Sequence, residues 1–468
     1  MNHPLPTLRA FAAAWLLLTG SALSGAAPAA VTDDEAVATL QTAYARSVVP
    51  GEQAEFYRDL LATVLQRIRR SHVTTVDLPA LAAVALKSIE PLAAGSAEPA
   101  QLFNKAINEA LRTLDPYSRY LDARSQVNES GNLGGAFGGL GVELQSDAGA
   151  LRVVAPMPGG PAARAGLASG DLIVRVDNRS VEGLPLADAI AQLRGQPGTP
   201  VSVTIQRAGA ANEFTVSITR ETIRRPTLRW SMEGEVLVLR LPIFGAAAAA
   251  SMAKVIADAA AQRPPQAVVL DLRGNPGGLL REAVRVADAF LKEGEIVSLR
   301  GSTQDRQRSW LADADELLAG LPMVVLIDRR SASAAELVAD ALQFSGRATV
   351  MGQRSFGKGS VQTIYPLGDQ KGALKLTTAT YYGPSGQTVQ RTGVAPDIEL
   401  IGVAGAVGAR ATSDVSQPPG EAPPLRQAKA RVEAGRCRAP EPSDPVLSCA
   451  LAYLRAGSVD SFLARLAH

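Results

Sequence analysis

The chain has 468 residues, enough for two or three domains and at least one large hydrophobic core. Apolar residues make up 46% and charged residues 20%, so most of the chain is predicted to be globular. The 47 lysine and arginine residues nearly balance the 45 aspartate and glutamate residues. This balance gives no electrostatic reason to expect nucleic acid or an anionic membrane as the main partner.

The N-terminus has the pattern of a secretory signal peptide. Arg9 precedes an apolar run over 10–18, and the Ala-Pro-Ala sequence at 27–29 offers a cleavage site. We therefore predict a signal peptide over 1–29 and a soluble mature protein exported to the periplasm or cell envelope. The alternative is an uncleaved membrane anchor, although the apolar run is shorter than the ~20 residues that span a bilayer.

The next part of the chain divides in two by its periodicity. Apolar residues at helical spacing, such as Leu61, Val64 and Leu65, predict a helical region over 33–127, with helix as far as Leu121. After a glycine-dense stretch, short alternating segments separated by turn residues predict a mostly β module over 128–222.

From residue 223 to 400 the pattern is that of an α/β domain built on a parallel sheet. Short apolar strands of the buried kind alternate with helices, one of them at 281–292. The predicted strands lie at 236–241, 267–272, 323–327 and 348–351.

The end of the chain, 401–468, is predicted to be an Ala/Gly/Pro-rich linker followed by a short helical tail at 445–466. The two cysteines of the sequence, Cys437 and Cys449, lie in this part. In an oxidising compartment they could form one bridge that closes a short loop, and two free thiols are the alternative. A metal site is not expected there, because no histidine lies near them in the sequence.

Three histidines are present, His3, His72 and His468. His3 belongs to the predicted signal peptide, His72 is predicted to lie on a solvated helix face, and His468 is the last residue. A site of the Ser-His-Asp kind would have to use one of them. Any serine chemistry in this chain is therefore expected to use another base.

A candidate nucleophile, Ser333, follows a predicted strand at a turn of small residues and begins a helix. Ser333 and Glu336 also have the spacing of a capping box, so the serine could serve only as a helix cap. The same position suits a nucleophile, because the turn exposes the hydroxyl and a free amide such as that of Ala334 can stabilise an oxyanion. This segment alone leaves both roles open.

A candidate base, Lys358, lies between Gly357 and Gly359, where it can be held against the backbone with little solvent. Burial disfavours the ammonium form and lowers the pKa, so a neutral lysine amine can accept a serine proton. Gln362, four residues on, could fix the amine by hydrogen bonding. The segment nearly matches a phosphate-binding loop, but Gly359 replaces the Ser or Thr that holds magnesium. An ordinary glycine turn is the remaining alternative.

A third segment, 271–278, ends a predicted strand with the sequence Asn-Pro-Gly-Gly. Glycines at such a turn permit a backbone amide to face a ligand. Gly277 or Gly278 could therefore give a second oxyanion donor beside the amide of Ala334. A plain strand-to-helix turn is the alternative.

In order along the chain, these motifs resemble those of the carboxyl-terminal processing (tail-specific) peptidases over 111–398. The matching segments are Leu-Asp-Pro-Tyr-Ser-Arg-Tyr-Leu at 114–121, Asn-Pro-Gly-Gly at 275–278, Ser-Ala-Ser at 331–333, Phe-Gly-Lys-Gly-Ser-Val-Gln at 356–362, Tyr-Tyr-Gly-Pro-Ser-Gly at 381–386 and Gly-Val-Ala-Pro-Asp at 393–397. The resemblance implies that Ser333 is the nucleophile, Lys358 the base and Gln362 the residue that orients it. One departure is Ala335, where the family often has serine.

The resemblance also implies that the β module is a PDZ domain. The sequence at 138–144 is similar to the carboxylate-binding loop of such a domain, and that at 161–171 to its second signature. Amides of Gly139, Leu140 and Gly141 would then bind a substrate's terminal carboxylate, and a strand near Val142 would pair with the substrate tail.

These expectations combine into an exported serine endopeptidase with an α/β core of the crotonase/ClpP-like kind, a PDZ domain and a helical N-terminal region. Its expected partners are proteins with accessible C-terminal tails. Neither nucleic acid, nor a metal, nor another cofactor is expected, whereas an adaptor protein and a homo-oligomer are left open. The alternatives are a catalytically idle PDZ scaffold and a nucleotide-dependent enzyme.

Overall fold

The computed structural model describes the greater part of the chain. The described residues are 31–466, apart from 124, 127–128, 130, 132–135, 148, 185, 225–227, 303–306, 314–315, 369–370, 403–426 and 438–443. The predicted signal peptide and most of the predicted linker lie outside the described residues.

The N-terminal region consists of helices that pack around one apolar core. Its helices are α1 (Asp33–Ser47), α2 (Glu52–Ser71), α3 (Leu78–Lys87) and α4 (Pro99–Arg112). Helix α1 begins with a capping box formed by Thr32 and Glu35. Leu61, Leu65 and Ile68 of α2 recur at helical spacing and are fully buried, so burial of this stripe holds α2 against its neighbours.

The prediction of helix as far as Leu121 is wrong at its end. Arg119–Leu121 form a short strand, β1, which pairs antiparallel with β18 (Ala373–Tyr382). Three residues are too few to show a strand's alternation in the sequence. Through this pairing the helical region shares a sheet with the α/β part of the chain. The other strands of that sheet are β13 (Glu295–Gly301), β14 (Arg308–Leu311) and β17 (Ser360–Pro366).

The prediction that His72 lies on a solvated helix face is also wrong. His72 is the C-cap residue of α2, and its side chain is fully buried. Its Nε2 lies 3.0 Å from Asp115 Oδ2, and its Nδ1 lies 3.2 Å from the amide nitrogen of Thr74. Helical periodicity does not apply here, because the chain leaves the helix at His72 and turns back into the interior.

The β module contains a six-stranded sheet and two short helices. Its strands are β2 (Ala136–Gly139), β3 (Val142–Asp147), β4 (Ala150–Pro156), β5 (Leu172–Val176), β6 (Arg179–Ser180), β7 (Pro200–Gln206), β8 (Phe214–Thr219) and β9 (Glu221–Arg224), and its helices are α5 (Pro161–Arg164) and α6 (Leu186–Leu193). The sheet has the order β3-β4-β5-β7-β8, with β6 beside β5, and β2 pairs with β9. Within the described residues, β3 is therefore an edge strand.

The third region is built on a seven-stranded sheet with the order β10-β11-β12-β15-β16-β19-β20. These strands are β10 (Arg229–Glu233), β11 (Val236–Arg240), β12 (Ala267–Asp271), β15 (Met323–Ile327), β16 (Thr349–Gly352), β19 (Ile398–Ile401) and β20 (Ala430–Glu433). All neighbours except β10 and β11 pair in parallel. Strands β12 and β15 are buried along their whole length, as strands covered on both faces are.

Three helices follow strands of this sheet. They are α7 (Ala248–Gln262), α8 (Leu280–Asp288) and α9 (Ala334–Phe344). Helix α8 ends at Asp288 rather than at residue 292 as predicted. Apolar side chains of all three helices pack with those of β11, β12 and β15 in one core cluster. Burial of these side chains holds the helices against the sheet.

The C-terminal tail packs on the other face of the same sheet, in a separate cluster. It is helical as predicted and consists of two helices, α10 (Pro445–Ala456) and α11 (Val459–Leu466), because Gly457 ends α10 in the left-handed conformation. Cys437 and Cys449 form a disulfide. Among the residues described, no single helix is long and apolar enough to cross a membrane, and only α10 and α11 counted together reach that length and composition.

Candidate active site

Three of the segments that the sequence analysis selected lie at one edge of the parallel sheet. The Asn-Pro-Gly-Gly turn follows β12, the segment with Ser333 follows β15, and the loop with Lys358 follows β16. These three strands are neighbours and run in parallel, so their carboxyl ends meet at this edge. Sites of α/β proteins are commonly built at this end of the strands.

Ser333 begins α9 with an unusual backbone. Its φ is 56° and its ψ is −116°, a combination that side-chain-bearing residues rarely adopt. Two contacts hold this geometry: the Ser333 amide donates to Glu336 Oε2 at 2.8 Å, and Tyr381 donates its hydroxyl to the Ser333 carbonyl at 3.0 Å. Glu336 thus caps the helix start through the backbone amide of Ser333, and Ser333 also lines a cavity.

The carboxylate of Glu336 connects the serine segment to the lysine loop. Its Oε2 accepts hydrogen bonds from the amides of Ser333 and Lys358, both at 2.8 Å. Its Oε1 accepts from the Gly357 amide at 2.6 Å and from the Ser355 hydroxyl. Burial raises the pKa of Glu336, but these four donors are the partners that an ionised carboxylate requires. One buried side chain thus sets the spacing between the two candidate catalytic residues.

The electrostatics of the site favour a neutral lysine. Burial lowers the pKa of Lys358 to about 8, and the charge of Lys375 adds to this effect. Three carboxylates oppose it, those of Glu129, Glu336 and Asp115. Desolvation has the larger effect on the pKa of Lys358, which remains well below that of an ordinary lysine. A sizeable fraction of Lys358 is therefore uncharged in mildly alkaline solution.

Lys358 and Ser333 line the same cavity of about 280 Å³. Within the described contacts no hydrogen bond joins Lys358 Nζ to Ser333 Oγ, and Nζ lies 4.7 Å from the centre of the Tyr117 ring. Both apolar and polar residues line the cavity. Its other lining residues are Glu129, Ile243, Pro276, Gly277, Gly278, Leu279, Leu280, Ala334, Leu337, Ser360, Val361, Gln362, Ile364, Lys375 and Tyr381.

Gln362 also lines this cavity, on β17. Its Nε2 donates to Ser360 Oγ at 2.9 Å and to Thr377 Oγ1 at 3.3 Å. The amide nitrogen is thereby held in place. That Gln362 orients Lys358 stays a prediction.

The Asn-Pro-Gly-Gly turn lies directly against the serine. A Cβ at Gly277, whose φ is 107°, would lie 2.8 Å from the Ser333 Cβ, so only glycine fits. The Gly277 amide donates to Asn275 Oδ1 at 2.8 Å and is not available to a ligand. Among the described hydrogen bonds, the amides of Gly278 and Ala334 have no acceptor. These two amides are the better candidates for an oxyanion site.

Comparison with known proteins agrees with this geometry. Residues 235–400 match peptidase family S41, and residues 152–207 match the PDZ domain. The carboxy-terminal-processing protease of Bartonella bacilliformis is 39% identical over 359 residues, which cover 76% of this chain and 78% of that protein. The chain belongs to the carboxy-terminal processing proteases of family S41. It is accordingly a serine-type peptidase.

Two further proteins are similar to this chain. The carboxy-terminal processing protease CtpA of Bacillus subtilis is 31% identical over 301 residues, which cover 64% of each chain. The solved photosystem II D1 C-terminal processing protease is 27% identical, with a TM-score of 0.48 over 75% of this chain and 93% of that one.

In this S41 peptidase the glycine-rich loop of the PDZ domain turns two amides outward. The carbonyl of Leu140 accepts from the Ala162 amide and that of Gly141 from the Met157 amide, both at 2.8 Å. A trans peptide points its N–H opposite to its C=O. The amides of Gly141 and Val142 therefore face away from the domain. The amides of Gly139, on β2, and of Leu140 lie two peptides and one peptide earlier than that of Gly141, and their roles stay predictions.

Sequence reasoning missed two charged residues of the peptidase cavity, Glu129 and Lys375. They form an ion pair across a separation of 246 residues, and Arg119 joins it with its Nη2 2.9 Å from Glu129 Oε2. No local pattern in the sequence marks either residue. Only the pairing of β1 with β18 brings Arg119 and Lys375 opposite each other.

Proposed function

We propose that this peptidase is exported, that it cuts peptide bonds with a dyad of Ser333 and Lys358, and that its PDZ domain reads substrate C-terminal tails. The observation that carries the dyad is the shared cavity, in which a serine with a strained backbone and a lysine with a pKa of about 8 are tied together by Glu336. Strained residues and displaced pKa values typically concentrate at catalytic sites.

In the proposed mechanism the neutral amine of Lys358 accepts the hydroxyl proton of Ser333 while Oγ attacks the peptide carbonyl. The amides of Ala334 and Gly278 stabilise the negative oxygen of the tetrahedral intermediate. The ammonium of Lys358 then gives its proton to the leaving amine. Water, deprotonated by the same amine, hydrolyses the acyl-enzyme. Gln362 orients Lys358 throughout.

His72 does not suit the role of base. Both of its ring nitrogens face partners inside the protein, Asp115 and Thr74, and the ring does not line the cavity. Lys358 is thus the better-placed titratable group.

Tail recognition is supported by the edge strand β3 and by the outward amides of Gly141 and Val142. An extended tail can pair with β3 while its carboxylate accepts from these amides. Leu140, which precedes Gly141 in the chain, belongs to the apolar cluster of the domain, so we expect an apolar terminal side chain to be favoured. Proteins with accessible tails are the proposed substrates, and an adaptor and a homo-oligomer remain open.

Export to the periplasm or cell envelope is supported by the leader-like pattern over 1–29 and by the disulfide, which forms in oxidising compartments. A core of the crotonase/ClpP-like kind is supported by the mostly parallel sheet and by the helices that follow its strands and pack against it.

The dyad is tested by Ser333→Ala and by Lys358→Arg, which keeps a long cation but cannot act as a neutral base. Each variant is expected to lower kcat on an unfolded protein by at least about a thousandfold, and the double variant by no more than either single one. Lys254→Arg, an exposed lysine on α7, is the matched control and should keep full activity. An active Lys358→Arg protein would refute the dyad, and wild-type activity without Ser333 would point to a contaminating protease and an idle scaffold.

A further inference from the structure

A buried hydrogen-bond network runs from the N-terminal helical region to the candidate active site. Asp115 lies at its centre, with a side chain that is 2% exposed. We propose that Asp115, held by His72, is a positioning residue that fixes Gln362 and the Tyr117 ring around Lys358. The inference rests on the proposed Ser333–Lys358 dyad and extends the machinery to a part of the chain outside the peptidase core.

The network has a defined direction at His72. We assign His72 Nδ1 as the acceptor without a proton, because the Thr74 amide at 3.2 Å can only donate and lies nearer than the Thr74 carbonyl at 3.4 Å. The ring proton then resides on Nε2, which donates to Asp115 Oδ2 at 3.0 Å. Burial alone would raise the pKa of Asp115, but the hydrogen bonds from His72 and Ser118 hold it below its usual value. The lowered pKa of Asp115 is consistent with an ionised carboxylate that accepts these hydrogen bonds.

One branch leads from Asp115 to Gln362. Thr377 donates its hydroxyl proton to Asp115 Oδ1 at 3.0 Å, so its oxygen is left to accept from Gln362 Nε2 at 3.3 Å. Gln362 Nε2 also donates to Ser360. With the nitrogen held on this side, Oε1 is the end of the amide that remains for an amine in the cavity. An acceptor there can bind one N–H of Lys358 and leave its lone pair for the serine.

A second branch leads from Asp115 to Tyr117. The Tyr117 amide donates to Asp115 Oδ1 at 2.7 Å, and the Tyr117 ring lies against Lys358 Nζ. The ring covers part of the amine and so contributes to the burial that lowers its pKa. Asp115 therefore acts on the proposed base from two directions, and both depend on a segment just before β1.

The chain offers a matched pair of variants on adjacent positions of β18. Thr377→Val removes the hydroxyl between Asp115 and Gln362 and keeps the shape of the side chain. Thr378→Val is the control, because Thr378 is equally buried but bonds Thr363 on the opposite face at 2.7 Å. Thr377→Ser should keep kcat near that of the wild type, since serine retains the hydroxyl.

The experiment measures kcat and KM on one unfolded substrate, together with the melting temperature of each variant. Thr377→Val is expected to lower kcat about tenfold with KM unchanged, while Thr377→Ser and Thr378→Val stay within about twofold of wild type. In a Gln362→Leu background the same Thr377→Val change should have no further effect on kcat. Thr377→Ala replaces the valine variant if the latter does not fold.

Equal kcat for Thr377→Val and wild type, equal losses for Thr377→Val and Thr378→Val, or a full additional loss in the Gln362→Leu background would each overturn the inference. The dyad is judged separately by Lys358→Arg. An inactive Lys358→Arg protein beside a fully active Thr377→Val protein would reject only the positioning role. An active Lys358→Arg protein would reject the proposed function itself.

Discussion

The edge of the peptidase sheet and the loop of the PDZ domain present polar groups in opposite ways. At the sheet edge, buried side chains hold the reactive groups: Glu336 alone accepts four hydrogen bonds from Ser333, Ser355, Gly357 and Lys358. In the PDZ loop, the backbone itself offers the amides of Gly141 and Val142. Under the proposed function we therefore expect chemistry in this protein to depend on side-chain positions and burial, and recognition to depend on backbone shape. Changes at the sheet edge should affect kcat. Changes at the PDZ loop should affect how kcat/KM depends on the substrate's C-terminal tail.

Of the changes that test this contrast between the sheet edge and the PDZ loop, Glu336→Gln is expected to lower kcat the most. The glutamine has the same shape, but its NH₂ group would face two of the four donors, so either the Ser333–Lys358 pair or the Ser355–Gly357 pair of contacts is lost. A shift of the serine relative to the lysine by even a fraction of an ångström should lower kcat by about a hundredfold. Steady-state kinetics on an unfolded protein would measure it.

The control for this variant is Glu282→Gln, a carboxylate on α8 that is also buried and lies outside the cavity. It should lower the melting temperature without the same loss of kcat. If both variants lost kcat and stability in equal proportion, Glu336 would be a general stability residue, and the contrast between the two regions would lose its main support.

The sheet edge could be predicted from the sequence because its parts are local. The turn at 275–278, Ser333 and Lys358 each follow a strand of buried residues, and a parallel sheet brings such positions together. The competing roles of Ser333 as cap and nucleophile could not be separated, because the sequence does not show that Ser333 lines a cavity together with Lys358.

The surroundings of the site could not be predicted, because they come from distant parts of the chain. His72 was assigned to solvent by its helical phase, yet it turns inward to Asp115, 43 residues on. Glu129 reaches Lys375 across 246 residues. Ion pairs and buried networks of this kind depend on which strands pair, and pairing between β1 and β18 has no signal in either segment alone.

An intermediate loss of kcat/KM is expected when the substrate tail is altered and the enzyme is left unchanged. One unfolded protein is prepared with a free apolar C-terminus, with the same terminus amidated, and with an added aspartate. Amidation removes the carboxylate that the Gly141 and Val142 amides would bind, and aspartate places a charge in an apolar pocket. Each change should lower kcat/KM about tenfold, mostly through KM. Equal rates for the three substrates would show that the PDZ loop is not the tail reader.

The smallest expected effect is a shift in the pH dependence of activity. It should occur when a charge beside the cavity is removed, because these charges affect the pKa of Lys358. A base that must be neutral gives activity that rises with pH, and the rise should centre near the pKa of about 8. The contribution of Lys358 to the free energy of unfolding changes with pH in the same direction as the activity. Since the folded pKa lies below the ordinary value of about 10.4, stability falls as pH decreases from that value to about 8 and is constant below.

Two variants of one ion pair should move this rise in opposite directions. Lys375→Gln removes a positive charge that lowers the pKa of Lys358, so the acid limb of kcat/KM should move to higher pH. Glu129→Gln removes a negative charge that raises it, so the limb should move to lower pH. Each shift should be less than about one unit, because Lys375 and Glu129 are partly exposed to solvent. Lys254→Gln, an exposed charge outside the cavity, should give no shift. Shifts of the same sign in the two cavity variants would mean that the rise reports a change of structure and not the titration of Lys358.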